Sequence, residues 1–465
     1  MIKNNIDLLS PILVRLVNIS FETGCFPDPL KIAKIVPIFK GGDSTILSNY
    51  RPISILPTVS KIIERLVYNR LMSHLEINNI LSNNQFGFRK KLSPQSAILS
   101  MLNQTINSIE RGNYVIGIFL DLKKAFDTID HTILLKKLKH YGIRSNALKW
   151  FISYLTGRRQ YTNINDCTSN LLPITHGVPQ GSTLGPLLFL LYINDLVNAS
   201  QNLKYILFAD DTNLFCSGPN LKDLCDIVNT ELNIISNWLN INKLTINISK
   251  TFYLIFTRRK LENISISLCN QQLKRKNSIK FLGVIVDDKL CWREHINYIC
   301  KKISKSIGII RKIKDSLNEQ SKIMLYYTMI YPYLQYCVAA WGAACPTHLK
   351  PLISKQKCIA KMIKSESSLL KLSDIYNLEV LKFMHSQIIN NPNPIISFRQ
   401  VLGIHNVNTR NRHDLRPIHP NSELAKRFIT YKGCLLWNNL PNYLKSFQNS
   451  TTFKINVKKH LLLPY

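Results

Sequence analysis

The chain has 465 residues, 45% of them hydrophobic, and sets 60 Lys plus Arg against 28 Asp plus Glu, a formal charge of +32. That hydrophobic share supports a sizeable core in two or three packed units and excludes a disordered tail, while the charge calls for a polyanionic partner, nucleic acid first. No apolar run is long enough to span a bilayer, no compact signal segment opens the chain, and the 11 cysteines lack Cys-x-x-Cys spacing, which excludes a disulfide framework or zinc knuckle and points to reduced thiols.

Residues 1–30 place Leu9, Ile12, Leu13, Leu16 and Ile19 at helical spacing and predict one helix packed on the element that follows. Residues 31–115 carry two basic segments, Ile35-Val-Pro-Ile-Phe-Lys-Gly-Gly-Asp43 and Asn49-Tyr-Arg-Pro-Ile-Ser54. The apolar run Val115-Ile-Gly-Ile-Phe-Leu120 predicts a strand that ends in a carboxylate, Asp121. Helices are predicted at 131–140, stopped by Gly142, and at 146–155, stopped by Gly157. Next comes His176-Gly-Val-Pro-Gln-Gly-Ser-Thr-Leu-Gly-Pro186, a loop feeding a helix N-terminus whose backbone N–H groups can approach a phosphate or a base pair. The run Tyr205-Ile-Leu-Phe-Ala-Asp-Asp-Thr-Asn-Leu-Phe215 reads as strand, tight turn, strand, with Asp210 and Asp211 at the bend. Leu221, Leu224, Cys225, Val228, Leu232, Ile235 and Leu239 form the core face of a helix packed on that sheet. Beyond Trp292 the helices turn basic: Ile296, Ile299, Ile303, Ile307, Ile310 and Ile313 make an apolar face, with Lys301, Lys302, Lys305, Arg311, Lys312 and Lys314 mostly off it, and residues 348–364 repeat the pattern. From 365 onward the chain is more polar, and Asn390-Asn-Pro-Asn-Pro394 and Arg410-Asn-Arg-His413 predict a linker or loop-rich region, with a short packed unit at 425–436.

An Asp-Asp pair at a bend is ordinary turn chemistry when it stands alone. Here it follows a third carboxylate at a strand end and a Gly-rich loop, and three such acids can hold two Mg²⁺ ions for phosphoryl transfer. The joint pattern points to a nucleotidyl transferase.

With Leu120-Asp-Leu-Lys-Lys-Ala-Phe-Asp-Thr-Ile-Asp-His131 as motif A, Gly177-Val-Pro-Gln-Gly-Ser182 as motif B and Phe208-Ala-Asp-Asp211 as motif C, the chain resembles the reverse transcriptases of non-LTR, LINE-like retrotransposons of the jockey type. The flanks match as well: the two basic segments, Asn84-Gln-Phe-Gly-Phe-Arg89, Asn247-Ile-Ser-Lys-Thr251, Lys280-Phe-Leu-Gly-Val284 with Trp292 and His295-Ile296, and Leu436-Trp-Asn-Asn-Leu-Pro441.

The resemblance implies an α+β right-hand polymerase: an N-terminal helical extension at 1–30, fingers and an antiparallel palm at 31–290, a helical thumb at 291–364, and a mostly helical C-terminal region of unknown role at 365–465. It implies that Asp121, Asp210, Asp211 and the Leu122 carbonyl hold two Mg²⁺ ions, with Mn²⁺ as a substitute. Lys40 and Arg51 match cations that grip the incoming triphosphate, Phe126 a ring that clashes with a ribose 2′-OH, Gln180 and Gly181 contacts to the nascent base pair, and Lys250 a proton donor to pyrophosphate. The partners implied are an RNA template, a DNA primer and dNTPs, in a ribonucleoprotein of cytoplasm and nucleus, with no membrane. With Met1 only about 35 residues before the first motif, the chain reads as a polymerase without the N-terminal endonuclease, either a half that acts with a separate nuclease or a truncated genomic copy. Two other readings are a domesticated or decayed RNA-binding remnant, which the intact acids oppose, and an RNA-copying RNA polymerase, which Phe126 opposes because an NTP enzyme needs a residue that accepts the 2′-OH.

Overall fold

The apolar run Tyr114–Leu120 forms the middle strand of a five-stranded sheet in the computed structural model, which describes residues 2–165, 167–259, 264–363, 369–389, 394–400, 414–417 and 419–462. Asp211–Gly218 and Phe252–Phe256 flank it, both antiparallel; Lys204–Phe208 and Lys274–Arg275 complete the sheet. Side chains alternate between the faces of a strand, and this strand divides the protein accordingly. Ile116, Ile118 and Leu120 enter one core, beneath Thr58–Ile77, His131–His140, Ser145–Leu155, Gly185–Ile193 and Leu221–Ile241. Val115 and Phe119 enter the other. That second core runs without a break from Pro94–Glu110 through Arg293–Ile313, Pro346–Met362 and Leu372–Ile388 to Ser450–Leu462. Gly117 lies on its face of the sheet because a Cβ there would meet the Phe215 ring at 2.8 Å and the Phe256 ring at 3.1 Å.

A separate sheet pairs Ile32–Phe39 antiparallel with Tyr50–Ile55 and parallel with Arg159–Ile164. Every residue of the expected 221–239 stripe is buried in Leu221–Ile241. In Arg293–Ile313 the isoleucines 296, 299, 303, 307 and 310 are buried, while Lys301, Lys302, Lys305, Arg311 and Lys312 are exposed.

Three expectations are corrected. The N-terminal helix, Ile6–Thr23, uses its predicted stripe only in part: Leu16 packs on the core and Leu9 and Leu13 are half-buried, but Ile12 and Ile19 are exposed, and the helix docks not on the next element but on Ser145–Leu155, where Phe21 meets Trp150, whose Nε1 donates to Ser20 Oγ at 3.0 Å. After 365 the described residues are mostly helical, as the resemblance implies, where the polar composition alone suggested a linker or loops. Leu372–Ile388 is a core helix with apolar residues around its whole circumference, among them Ile375, Leu378, Val380, Leu381, Phe383 and Met384, so no single stripe advertised it. Residues 390–393 and 410–413 lie outside the described residues.

The third correction concerns the helix N-terminus after the Gly-rich loop. The donors leading into it are not open to a phosphate: buried Glu64 accepts through Oε2 from Thr183 N at 2.6 Å and Leu184 N at 3.2 Å and through Oε1 from Ser60 Oγ at 3.0 Å, and Ser182 Oγ accepts from Gly185 N at 2.9 Å. The carboxylate caps the helix from another part of the chain and joins Thr58–Ile77 to Gly185–Ile193. Glu64→Ala strands two buried donors and should destabilise the fold by about 3 kcal/mol in chemical denaturation; a loss within experimental error would refute the capping role.

Candidate active site

The ladder between Tyr114–Leu120 and Asp211–Gly218 ends with Leu120 opposite Thr212, so the next step of the register sets Asp121 against Asp211. Asp211 in turn faces Phe208 across its hairpin, leaving Ala209 and Asp210 as the turn. Ala209 has a φ of 55°, a left-handed conformation that costs a non-glycine residue about 1 kcal/mol. The segment Asn84-Gln-Phe-Gly-Phe-Arg89 holds it there. Buried Gln85 accepts through Oε1 from Ala209 N at 3.1 Å and Gly87 N at 2.8 Å, Phe86 N donates to Leu207 O at 2.8 Å, and Leu207 N donates to Asn84 O at 2.9 Å. Gly87 lies so close that a Cβ would sit 2.4 Å from Ala209 N.

Asp121 is strapped from the opposite side by Asn247-Ile-Ser-Lys-Thr251. Asn247 donates its backbone N–H to Asp121 O at 2.7 Å and its side-chain Nδ2 to Asp121 Oδ2 at 2.9 Å, and Asp121 N donates to Thr251 Oγ1 at 3.4 Å. Leu122 bridges Ile246, but the bridge uses the Asp121 carbonyl and the Lys123 amide, so the Leu122 carbonyl stays outside the pairing.

A second cluster lies along the tail of motif A. The Phe126 ring stacks on Phe189 with centroids 4.7 Å apart. Val178 N donates to Phe126 O at 2.9 Å and Gly177 N to Ile129 O at 2.8 Å; a Cβ on Gly177 would lie 2.7 Å from Asp127 O. Gln180 donates Nε2 to Asp127 Oδ1 at 2.8 Å, and its carbonyl accepts from Ser54 N at 2.8 Å. Gly181, at φ 136°, leaves room for Ser54 O, which a Cβ would meet at 2.4 Å. The loop is thus fastened between motif A and the strand Tyr50–Ile55.

The structure therefore brings Asp121, Asp210 and Asp211 together, and separately Phe126, Gln180 and Gly181. Lys40 is exposed at the end of Ile32–Phe39, near enough for its charge to act on Asp127. Arg51 stands exposed opposite Ile38 and, among the described residues, pairs with none of the other candidates. Lys250 is exposed one turn after Asn247, to whose carbonyl its N–H donates at 3.1 Å. Motif resemblance includes Gln85, Gly87, Asp127 and Asn247 without giving them roles, and the structure makes each a clamp. The available signal was residue type: an amide, an acid or a glycine inside each flanking motif suits backbone fastening.

Asp211 keeps an open edge to solvent, yet the protein around it and then the charges of Asp210 and Asp121 push its carboxyl up to about 6. An acid cluster under such mutual repulsion is short of positive charge, and its oxygen-only donor set suits a hard divalent cation. Among the described residues no group of three or more His, Cys, Asp or Glu side chains is drawn in closely enough to hold a metal ion as it stands, so the fit rests on donor chemistry and charge. Because the Asp211 carboxyl is raised, the cost of ionising it is fully present above pH about 6 and is relieved as pH falls through that value. Asp211→Asn should therefore raise the melting temperature of protein stripped of divalent ions at about pH 7.5 and leave it unchanged near pH 4. Equal shifts at both would show that the charge is not the cause.

The family described as reverse transcriptase (RNA-dependent DNA polymerase) matches residues 38–286. The RNA-directed DNA polymerase from mobile element jockey of Drosophila funebris is 26% identical over 90% of this chain and 48% of its own length. The probable RNA-directed DNA polymerase from transposon X-element of Drosophila melanogaster is 30% identical over 73% of this chain and 38% of its own. The chain thus spans less than half the length of these curated relatives. Among solved structures, a telomerase from Candida tropicalis in complex with a TWJ fragment of telomeric RNA is 13% identical over 75% of this chain and 63% of its own, with a TM-score of 0.42, a likeness too loose to argue from.

Proposed function

Since the chain belongs to the reverse transcriptase (RNA-dependent DNA polymerase) family, we propose that it adds dNTPs to the 3′-OH of a DNA primer on an RNA template, as the polymerase of a non-LTR retrotransposon. The observation that carries this reading is the set of three carboxylates at one end of the sheet, two of whose charges act on Asp211, with Phe126, in the same motif as Asp121, braced on Phe189. The family implies a divalent cation. Mg²⁺ is the ion proposed, as two ions with Mn²⁺ able to substitute, held by Asp121, Asp210, Asp211 and the Leu122 carbonyl. When bound, such ions lower the pKa of an attacking hydroxyl and neutralise phosphate oxygens.

The chain's own groups do the rest. Phe126, fixed against Phe189, leaves no space for a ribose 2′-OH. Lys40 and Arg51, both exposed on the smaller sheet, meet the triphosphate, where developing negative charge rewards a fixed cation. Gln180 and Gly181 face the nascent base pair from a loop that cannot shift without breaking its bonds to Asp127 and Ser54. Lys250 supplies a proton to departing pyrophosphate. In this reading residues 31–290 are fingers and palm, 291–364 a thumb whose exposed lysines follow the template–primer backbone, and 365–465 a C-terminal region that shares the thumb's core. The working assembly would be a ribonucleoprotein of cytoplasm and nucleus, with an endonuclease activity that prepares the primer. Among the described residues no helix is long and apolar enough to cross a membrane.

Primer extension on an RNA template tests the reading. Wild type should extend with dNTPs and not NTPs, Asp210→Ala should lose roughly 100-fold or more, and Phe126→Ala should narrow the preference for dNTPs by roughly tenfold or more. A folded wild type that binds template–primer without extending it would instead be a nucleic-acid-binding remnant.

A further inference from the structure

We propose that Asp127 is a positioning residue for nucleotide binding, which orients the Gln180 side chain and acts through it. The inference rests on the polymerase reading above and concerns a residue to which that reading gives no part.

An ionised carboxylate can only accept hydrogen bonds, so Asp127 must take the amide NH₂ of Gln180 and not its oxygen. The Gln180 Oε1 atom makes no hydrogen bond to the described residues and is left as the outward acceptor. An amide offered a hydroxyl or another amide could pair in either orientation; opposite a carboxylate it has one. The main chain is held too, since Gln180 O accepts from Ser54 N. Gln180 is therefore fixed at both ends, with its acceptor pointing the one way left.

Asp127 is itself firmly seated. Its N–H donates to Lys124 O at 2.8 Å, its neighbour Phe126 accepts from Val178 N, and Gly177 packs on its backbone more closely than any side chain would allow. Burial raises its carboxyl above the ordinary range, while the Gln180 hydrogen bond and the charges of Lys124 and Lys40 draw it back toward the ionised form that the arrangement needs. Asp127 thus stands where three candidate groups meet: the Phe126 ring on the adjacent residue, the Gln180 amide and the Lys40 charge.

The test is a double-mutant cycle in steady-state primer extension, with dNTP KM and kcat measured separately. Asp127→Ala should raise the dNTP KM about tenfold and change kcat by no more than about threefold. In a Gln180→Ala background the same substitution should add less than about twofold, because its effect passes through the missing amide. Asp127→Asn keeps the volume and an acceptor but permits both amide orientations, so its KM should fall between wild type and Asp127→Ala. Additive effects in the cycle, or a loss confined to kcat, would overturn the inference while leaving the polymerase reading intact. Absence of extension by wild type would sink that reading and this inference together. Exchange of the Gln180 side-chain amide protons gives a readout without catalysis: slow in wild type and fast in Asp127→Ala is expected, and equal rates would also overturn the proposal.

Discussion

Repulsion among Asp121, Asp210 and Asp211 is the constraint around which this protein is organised. Three acids at one end of a sheet would spread apart if their backbones could move, and the Asp211 carboxyl is raised first by its burial and then by the charges of Asp210 and Asp121. Each acid-bearing segment is accordingly tied by a different piece of chain. The turn carrying Asp210 is gripped by Gln85 and Gly87, with Ala209 in a conformation alanine avoids. Asp121 is tied by Asn247 and Thr251. The tail of motif A is closed by the Gly177 loop, which Glu64 in turn anchors through the helix that follows. The flanking motifs of the sequence are thus the fastenings of the acids.

The same sheet joins this centre to distant helices. Val115 and Phe119 share a core with residues as late as Phe453 and Val457, whereas Ile116 and Ile118, between them in sequence, belong to the opposite core. The basic helix Arg293–Ile313 is therefore no loose appendage. It shares the core on the reverse side of the sheet, where Pro94–Glu110 packs on the strand that delivers Asp121, and it contacts Pro346–Met362. Gln335, whose Nε2 donates to Glu379 Oε1 at 2.7 Å, stitches Leu372–Ile388 into that body.

What was legible in the sequence is what local pattern encodes. The strand before Asp121 is a continuous apolar run, the Asp-Asp bend is flanked by apolar residues, and the stripe from Leu221 to Leu239 repeats at helical period, so all three were readable. Glu64 was not: its partners lie 119 and 120 residues away, and an acid inside an amphipathic helix looks like solvated surface. Gln85 escaped notice for the same reason, being 124 residues from the amide it holds. The helix Leu372–Ile388 was misjudged because burial on all sides erases the periodicity that marks a half-exposed helix. The N-terminal helix failed in the opposite sense, its apolar spacing real but only in part met by a partner surface.

The charge distribution separates two kinds of electrostatic demand. The chain carries 60 Lys and Arg, yet among the described residues only six ion pairs form, and none involves Asp121, Asp210 or Asp211. A lysine placed against these acids would have relieved their repulsion, lowered Asp211 toward an ordinary carboxyl and filled the oxygen donors with a monovalent charge. Lys123 and Lys124 follow Asp121 closely in sequence, but both are exposed and form no ion pair with it. Cations are thus abundant along the surfaces that suit a phosphate backbone, where unpaired charge strengthens binding and makes it salt-dependent. Among the described residues no ion pair reaches the acids that meet at Asp211; in the reading proposed above, neutralisation there would be left to a divalent ion, and a lysine fixed at this point would compete with that ion for the same oxygens.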